Sequence, residues 1–474
     1  MKYKPVIGLE IHAELKTKTK MFCDSLNDPD EKHPNINVCP ICMGHPGTLP
    51  VINAEAVSKV IMAGLALNCK IAGDTFFERK NYFYPDLPKG YQITQYQKSL
   101  CEGGHLDVAG KKITITRIHL EEDAGRLYHL PGKDYSLVDF NRAGVPLMEL
   151  VTEPDFETGL EVKRFTEELQ LILRYIGVSD ADMEKGLMRV EVNISLAGED
   201  GKWGTKVEIK NLNSIKAASD SVDYEIKRQT KLLEAGEKVA QETRGWDDSK
   251  RATVSQRSKE EAHDYRYFPE PDLPPLKFTS AQIEEIRSAI PELPEERRQR
   301  FKSQYFLPDA DIALFAVNKL LGDFFEHVAS ELGDPKLYKL ASNYLITEFQ
   351  KHLVLLDADP EDTKITPEMF ADLIKRTANK EISSSGAQTV LEDMFRTGRA
   401  PIKIIEEKDL GQVSDTGALE SVVDNVIANN LQAVEDYKKG KEASLKFLIG
   451  MVMRESKGKA NPQVVEEIIK DKLK

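Results

Sequence analysis

Gly8-Leu9-Glu10-Ile11-His12-Ala13-Glu14 decides how the first part of this chain is read. Its apolar and polar residues alternate with period 2, so a strand places Leu9, Ile11 and Ala13 on one face and Glu10, His12 and Glu14 on the other. An apolar back packed on a core, with two carboxylates and an imidazole in front, is either a metal-binding face or an ordinary solvated one. Three further segments alternate in the same way: Ile113 to Leu120, Arg189 to Ser195, and Thr205 to Lys210. They add polar faces carrying Arg189, Glu191, Asn193 and Ser195 in one case, and Lys206, Glu208 and Lys210 in the other. Carboxylates converging from several strands suit a hard cation such as Mg²⁺, which prefers oxygen ligands and bridges phosphates. Glu121-Glu122-Asp123 at the end of a strand, and Glu149 within Pro146 to Leu150, are further candidate ligands; Arg117, Arg142 and Arg189 are candidate counter-charges.

Helical patterns, Asn53 to Leu67 and Gly159 to Tyr175, lie between these strands, and the Pro-rich stretch from Phe268 to Pro275 reads as an extended connector. The chain is therefore α+β, with a β-rich part over 1–292. From 293 to 405 the pattern is helical. Thr366-Pro367-Glu368 is a helix start with Pro at the first position, Ser383 an N-cap, and Gly322 and Gly333 read as interruptions or helix ends. Residues 406–474 form a third unit, entered through Asp409 to Gln412, with short helices near 416–428, 430–438 and 442–455 and after Pro462.

The 474 residues carry a formal charge of −13, which argues against a chain coated in nucleic acid but leaves room for one basic patch. Such a patch exists: Lys438, Lys439, Lys441, Lys446, Arg454, Lys457 and Lys459 stand against only Glu442 and Glu455, and Lys457 to Pro462 resembles a helix-end loop for phosphate contacts. A charge run of this kind also describes a plain solvated helix face. No apolar run reaches the ~20 residues that span a bilayer, and the N-terminus is not a signal peptide, so a soluble, cytoplasmic protein is expected.

Five cysteines argue against a disulfide framework. Cys39-Pro40-Ile41-Cys42 has the gap that lets two thiolates chelate one zinc, with Cys23 as a third sulfur and His33 or His45 as substitutes for a fourth; a loop without metal fits equally well. Arg79 to Asp86, Lys89 to Gln92 and His263 to Pro269 mix aromatics with bases, as loops do that stack a base and meet a phosphate or carboxylate. There is no G-x-x-x-x-G-K-[ST] and no G-x-G-x-x-G after a strand, which disfavours P-loop and Rossmann nucleotide sites. Nor is there a glutaminase nucleophile, because Ser383 to Gly386 lacks the flanking glycine doublets of an amidase signature.

Longer motifs carry a family resemblance. VIGLEIHAELKTKTKMFC (6–23), VCPICMGHPGTLPVIN (38–53), RKNYFYPDLPKGYQITQY (79–96), HLEEDAGR (119–126), LVDFNRAGVPLMELVTEPD (137–155), VEIKNLNS (207–214), HDYRYFPEPDLPPL (263–276) and KGKANPQVV (457–465) resemble, in order, the B subunits of GatCAB aspartyl/glutamyl-tRNA amidotransferases. The resemblance implies a cradle-shaped catalytic domain, a helical domain and a helical tail domain that binds tRNA. It implies ATP-dependent phosphorylation of the side-chain carboxylate of Glu-tRNA(Gln) or Asp-tRNA(Asn), followed by attack of ammonia to give the amide. Ammonia would come from glutamine on the A subunit, with a C subunit tying the complex together.

By motif match, His12, Glu122 and Glu149 take Mg²⁺, and Glu10, Glu191 and Glu208 serve a second metal or orient substrate. Lys80 and Glu122 stand where an ammonia channel opens. The sequence departs from the family's fuller zinc pattern, since Ser25 stands where a second cysteine of a Cys-x-Cys pair would be. A metal-dependent tRNA nuclease or phosphohydrolase, or a non-catalytic RNA-binding scaffold, are the alternatives the same faces permit.

Overall fold

The computed structural model describes residues 2–258, 265–411, 416–456 and 460–473. His263 and Asp264 of the aromatic stretch, Gln412 at the entry to the last unit, and Lys457, Gly458 and Lys459 of the tail loop lie outside the described residues. The chain divides into two compact units, Met1–Leu293 and Pro294–Lys474.

The first unit is organised by a twisted ten-stranded sheet. Its central strand, Lys4–Glu14, is flanked by Met188–Ala197 on one side and Pro146–Thr152 on the other. Beyond these lie Val207–Leu212, Glu242–Asp247 and Ala252–Ser258 in one direction, and Lys111–Glu122 followed by two short strands in the other. Pairing is antiparallel except between Val207–Leu212 and Glu242–Asp247. The alternation read from Gly8 to Glu14 takes physical form here. Ile7, Leu9, Ile11, Ala13, Val190, Val192, Ile194, Ile118, Leu120, Met148 and Leu150 are all buried in one hydrophobic core.

Three helices supply that core's other half: Ala54–Ala66, capped by Asn53; Gly159–Tyr175, capped by Thr158; and Ile215–Glu234, capped by Ser214. Each fully buried aliphatic side chain stabilises by roughly 1.5–3 kcal/mol, and a one-residue slip would turn the whole set to the other face, so the core fixes the register. The polar face is thereby held rigidly from behind.

In the second unit every element of four or more residues is helical among the described residues. Thr366 caps Pro367–Ala378 and Ser383 caps Ser384–Thr397, each accepting from a backbone N–H three residues on. Gly333 ends the Lys319–Leu332 helix in the left-handed conformation. Gly322 departs from expectation. It interrupts nothing and sits inside the first turns of that helix, where an added Cβ would come within 2.6 Å of the Phe315 carbonyl oxygen; close packing, not termination, demands glycine there. Two separate hydrophobic clusters form, one from Phe301 to Ile405 and one from Leu419 to Leu473. The basic island of the tail is partly neutralised within its own helices, Lys439 by Glu435 at 3.5 Å and Lys441 by Asp436 at 3.2 Å. No helix among the described residues is long and apolar enough to cross a membrane.

Candidate active site

Register brings the chemistry together. Across neighbouring strands His12 stands opposite Arg189 on one side and Glu149 on the other, and Glu149 stands opposite His119. Residues directly opposite share a face of the sheet, as do residues two apart along a strand. Glu10 and Glu121 therefore join His12, Glu149 and His119 on the polar face. His12 Nε2 lies 3.3 Å from Glu149 Oε2, 3.6 Å from Glu121 Oε1 and 3.9 Å from Glu10 Oε1. His119 Nε2 lies 3.6 Å from both Glu121 Oε2 and Glu149 Oε2. Two ligand-type triads result, Glu10/His12/Glu149 and His119/Glu121/Glu149, with Glu149 common to both.

The electrostatics are those of a site with too much negative charge. Burial disfavours the charged imidazole of His12, yet Glu149, Glu121 and Glu10 outweigh it and push the pKa up to about 9. Burial also works against the charge on Glu149, but His119, His12 and Arg117 hold that carboxyl well below its usual range. Glu121 is lowered in the same way, against burial, by His119 and His12, whereas burial and the neighbouring Glu149 raise Glu10. The converging oxygens of three carboxylates are donors that fit a hard divalent cation, with two imidazoles set among them.

The neighbouring acids are settled differently. Asp123 takes Arg189 at 2.6 Å and Arg142 at 3.6 Å; against burial, these arginines lower its pKa to about 2. Glu191 is held by Lys210 at 2.7 Å, and Glu208 by the Thr243 hydroxyl at 2.8 Å and Lys210 at 3.5 Å. Glu122 does not join His12 and Glu149. Strand parity turns it to the side of Ile118 and Leu120, where Lys89 Nζ lies 2.5 Å from both of its oxygens and the Ile93 N–H donates to Oε1 at 2.9 Å. Its neighbour Glu121 is the acid that faces the cluster.

Lys80, on the Glu78–Asn81 strand, lies 5.0 Å from the Tyr265 ring centre and 5.9 Å from that of Tyr82. Tyr267 stacks on Tyr96 with centroids 4.0 Å apart. Burial raises the phenols of Tyr82 and Tyr267, and Glu121 contributes to both shifts, which puts this aromatic wall beside the acids. Cys23, Cys39 and Cys42 gather separately, with ligand atoms within 4.8 Å of one another.

His119 is the member of the cluster that the motifs do not single out. It shares the parity of Arg117 and Glu121 within one alternating strand, and that is the signal that points to it. Lys89 has the sequence context of a lysine awaiting a phosphate or carboxylate; its carboxylate is internal, 33 residues away.

Comparison with known proteins agrees with the motifs. The family model described as GatB/GatE catalytic domain matches residues 5–284, and one described as GatB domain matches residues 323–473. Over 478 residues and the full length of both chains, the sequence is 49% identical to the B subunit of the aspartyl/glutamyl-tRNA(Asn/Gln) amidotransferase of Caldanaerobacter subterraneus subsp. tengcongensis. It is 48% identical over the same span to the protein of that name from Thermoanaerobacter pseudethanolicus, and 46% identical, over all of this chain and 99% of the other, to that from Thermotoga petrophila. A catalytic-domain match that contains every member of the acid cluster, together with end-to-end similarity to these proteins, means that the chain belongs to the GatB/GatE family.

Proposed function

We propose that this chain is the component of an aspartyl/glutamyl-tRNA(Asn/Gln) amidotransferase that activates a misacylated side-chain carboxylate and converts it to an amide. The buried cluster of Glu10, His12, His119, Glu121 and Glu149 carries the reading, because it concentrates uncompensated negative charge where a phosphate-bridging cation is needed. A carboxylate is a poor electrophile. Transfer of the γ-phosphoryl group of ATP to one of its oxygens gives an acyl phosphate; ammonia then attacks the acyl carbon, inorganic phosphate leaves, and the amide remains.

Glu10, His12, Glu121 and Glu149 would hold Mg²⁺, which would screen the negative charge of phosphate groups at the site. Arg117 Nη2, 3.6 Å from Glu149 Oε1 at the rim, is placed to meet a phosphate. Glu191 and Glu208, held by Lys210, orient substrate in this reading and leave ion binding to the central cluster. Half-buried Tyr82 and Tyr267, with Tyr96 stacked on Tyr267, line this side of the acids, where an acyl phosphate must be protected from water. Ammonia comes from glutamine hydrolysed on an A subunit, consistent with the missing glutaminase nucleophile, and a C subunit joins the complex. Lys80 and Glu122 stand on its path, with Glu122 fixed by Lys89. The tail holds the tRNA of Glu-tRNA(Gln) or Asp-tRNA(Asn) by phosphate contacts, and the enzyme works in the cytoplasm.

The test is reconstitution with A and C subunits, ATP, Mg²⁺, glutamine and either mischarged tRNA. Gln-tRNA(Gln) or Asn-tRNA(Asn) is expected, and absence of amide from both substrates overturns the reading. The similar proteins lend no support to a nuclease or a scaffold; cleavage of uncharged tRNA, or binding without ATP consumption, would be their signature.

A further inference from the structure

The thiol cluster lies outside the reaction described above. Cys23, Cys39 and Cys42 have their sulfurs within 4.8 Å of one another, the geometry of a tetrahedral zinc site short of one corner. Among the described residues no fourth cysteine, histidine or carboxylate completes it. Beside Cys42 Sγ stand the Ser25 hydroxyl, at 3.9 Å, and the Lys20 ammonium, at 3.8 Å. A neutral hydroxyl is a weak ligand for a borderline-soft ion, and an ammonium is no ligand at all. Lys20 is fully buried, its Nζ also donating to the Phe140 carbonyl at 3.2 Å.

A lysine does not go fully into a protein interior without an anion to meet it. Here the anion is at hand. Cys42 Sγ accepts from the Cys39 N–H at 3.1 Å and from Lys20 Nζ at 3.8 Å, and the Cys23 sulfur lies within 4.8 Å. The residues present do not fit the zinc that the family's fuller cysteine pattern implies.

We infer that this cluster is closed without a metal, the buried Lys20 ammonium supplying the positive charge that a zinc ion would supply and Ser25 being the substitution that leaves the fourth corner unligated. The cluster is then a hydrogen-bonded thiolate–ammonium knot. It packs closely against its surroundings. A Cβ added at Gly44, where φ is +69°, would fall 2.7 Å from Lys89 Cγ, and one added at Gly144 would lie 3.5 Å from Cys42 Cβ and 3.7 Å from Glu122 Oε2. The knot therefore sits directly against the Lys89–Glu122 pair.

The experiment uses the full chain in its complex with A and C subunits, expressed with ample zinc and measured in buffer free of Mg²⁺, and reads metal content by elemental mass spectrometry and unfolding temperature with and without a chelator. For the unaltered chain no stoichiometric zinc and a chelator-independent Tm are expected; one zinc per chain, released by Cys39→Ala, overturns the inference. Ser25→Cys restores a fourth thiol and is expected to gain one zinc per chain and a chelator-sensitive Tm. If Ser25→Cys stays free of zinc, serine is not what leaves the corner open, and the inference fails. Lys20→Met is expected to lower Tm whether zinc is present or absent, and an unchanged Tm refutes the charge role of Lys20. Should that variant not fold, Lys20→Arg, which keeps the charge, is expected to fold and to remain free of zinc; zinc uptake by Lys20→Arg equally refutes it.

Discussion

The carboxylate–imidazole cluster and the thiol cluster are assembled from the same class of parts, three or more metal-ligand side chains brought within a few ångströms, yet they differ in where positive charge comes from. The thiols have Lys20 inside the cluster, fully buried and in contact with the sulfur that carries the charge. The acids of the sheet face have only histidines at their centre, and Arg117 reaches Glu149 from the rim at 3.6 Å. The contrast repeats among the neighbouring acids: Asp123 and Glu191 on that face, and Glu122 on the opposite one, each own an arginine or lysine within 2.7 Å, and Glu10, Glu121 and Glu149 do not. Where the chain neutralises its own charge it builds structure; where it leaves charge uncompensated it keeps a place for a cation and for phosphates.

The largest expected effect breaks the uncompensated side. Glu149→Ala removes the carboxylate shared by both triads and should lower amide formation in the reconstituted complex by on the order of 10³-fold, the scale of losing a principal electrostatic element of a transition state. Filter-binding affinity for the tRNA should stay near wild type. Activity within tenfold of wild type would show that the cluster is not the reaction centre.

The next breaks the compensated side. Glu122→Gln leaves the buried Lys89 ammonium unpaired and should cost about 3–5 kcal/mol of stability in denaturant unfolding, the usual penalty for breaking a buried ion pair. Replacing both partners, as Lys89→Met with Glu122→Leu, should recover much of that loss. A single variant as stable as wild type would mean that the pair is not closed in solution.

Cation binding sharpens the comparison. Mg²⁺ at a hundred times its dissociation constant should stabilise the chain by about 2.7 kcal/mol, read as a rise in Tm, and His12→Ala should abolish the rise while Cys39→Ala leaves it intact. An equal rise in all three proteins would place the ion elsewhere.

The smallest effect concerns Glu14, on the same face but among the arginines. Burial and the nearby Asp123 raise its pKa to about 8. In the unfolded chain the carboxyl ionises near its ordinary value, whereas in the folded chain it keeps its proton, so its contribution to stability is full below about pH 4.5 and is lost as pH rises towards 8. Glu14→Gln should therefore gain on wild type progressively between pH 5 and pH 8, measured as Tm against pH. A difference that does not change with pH would refute the assignment.

Much of the candidate site is legible in the sequence because strand parity is written into neighbouring residues. Gly8 to Glu14 alone places Glu10 and His12 on one face, and Arg189 to Ser195 does the same for Glu191. The doublet Glu121-Glu122 is not resolved by its motif, because two adjacent acids at a strand end offer one residue to each face; pairing with Leu147 and Pro146 decides which is which. His119 emerges only when the same parity is extended two residues back. Glu191 looks like a free acid along its own strand, and Lys210, from the next strand, comes to 2.7 Å. The helical part is legible through its caps at Thr366 and Ser383, while Gly322 misleads because a glycine forced by close packing looks in sequence like one that ends a helix.

The sequence by itself determined the faces, the caps, the family and the set of acids, histidines and thiols available to chemistry, since all of these follow from short-range periodicity and motif. Only the tertiary structure decided which charges are neutralised. Lys20 meets Cys42, Lys89 meets Glu122 and Arg189 meets Asp123 across separations of 22 to 66 residues, set by register and packing. Charge balance depends on distances in space, and a sequence specifies those distances only after it has folded.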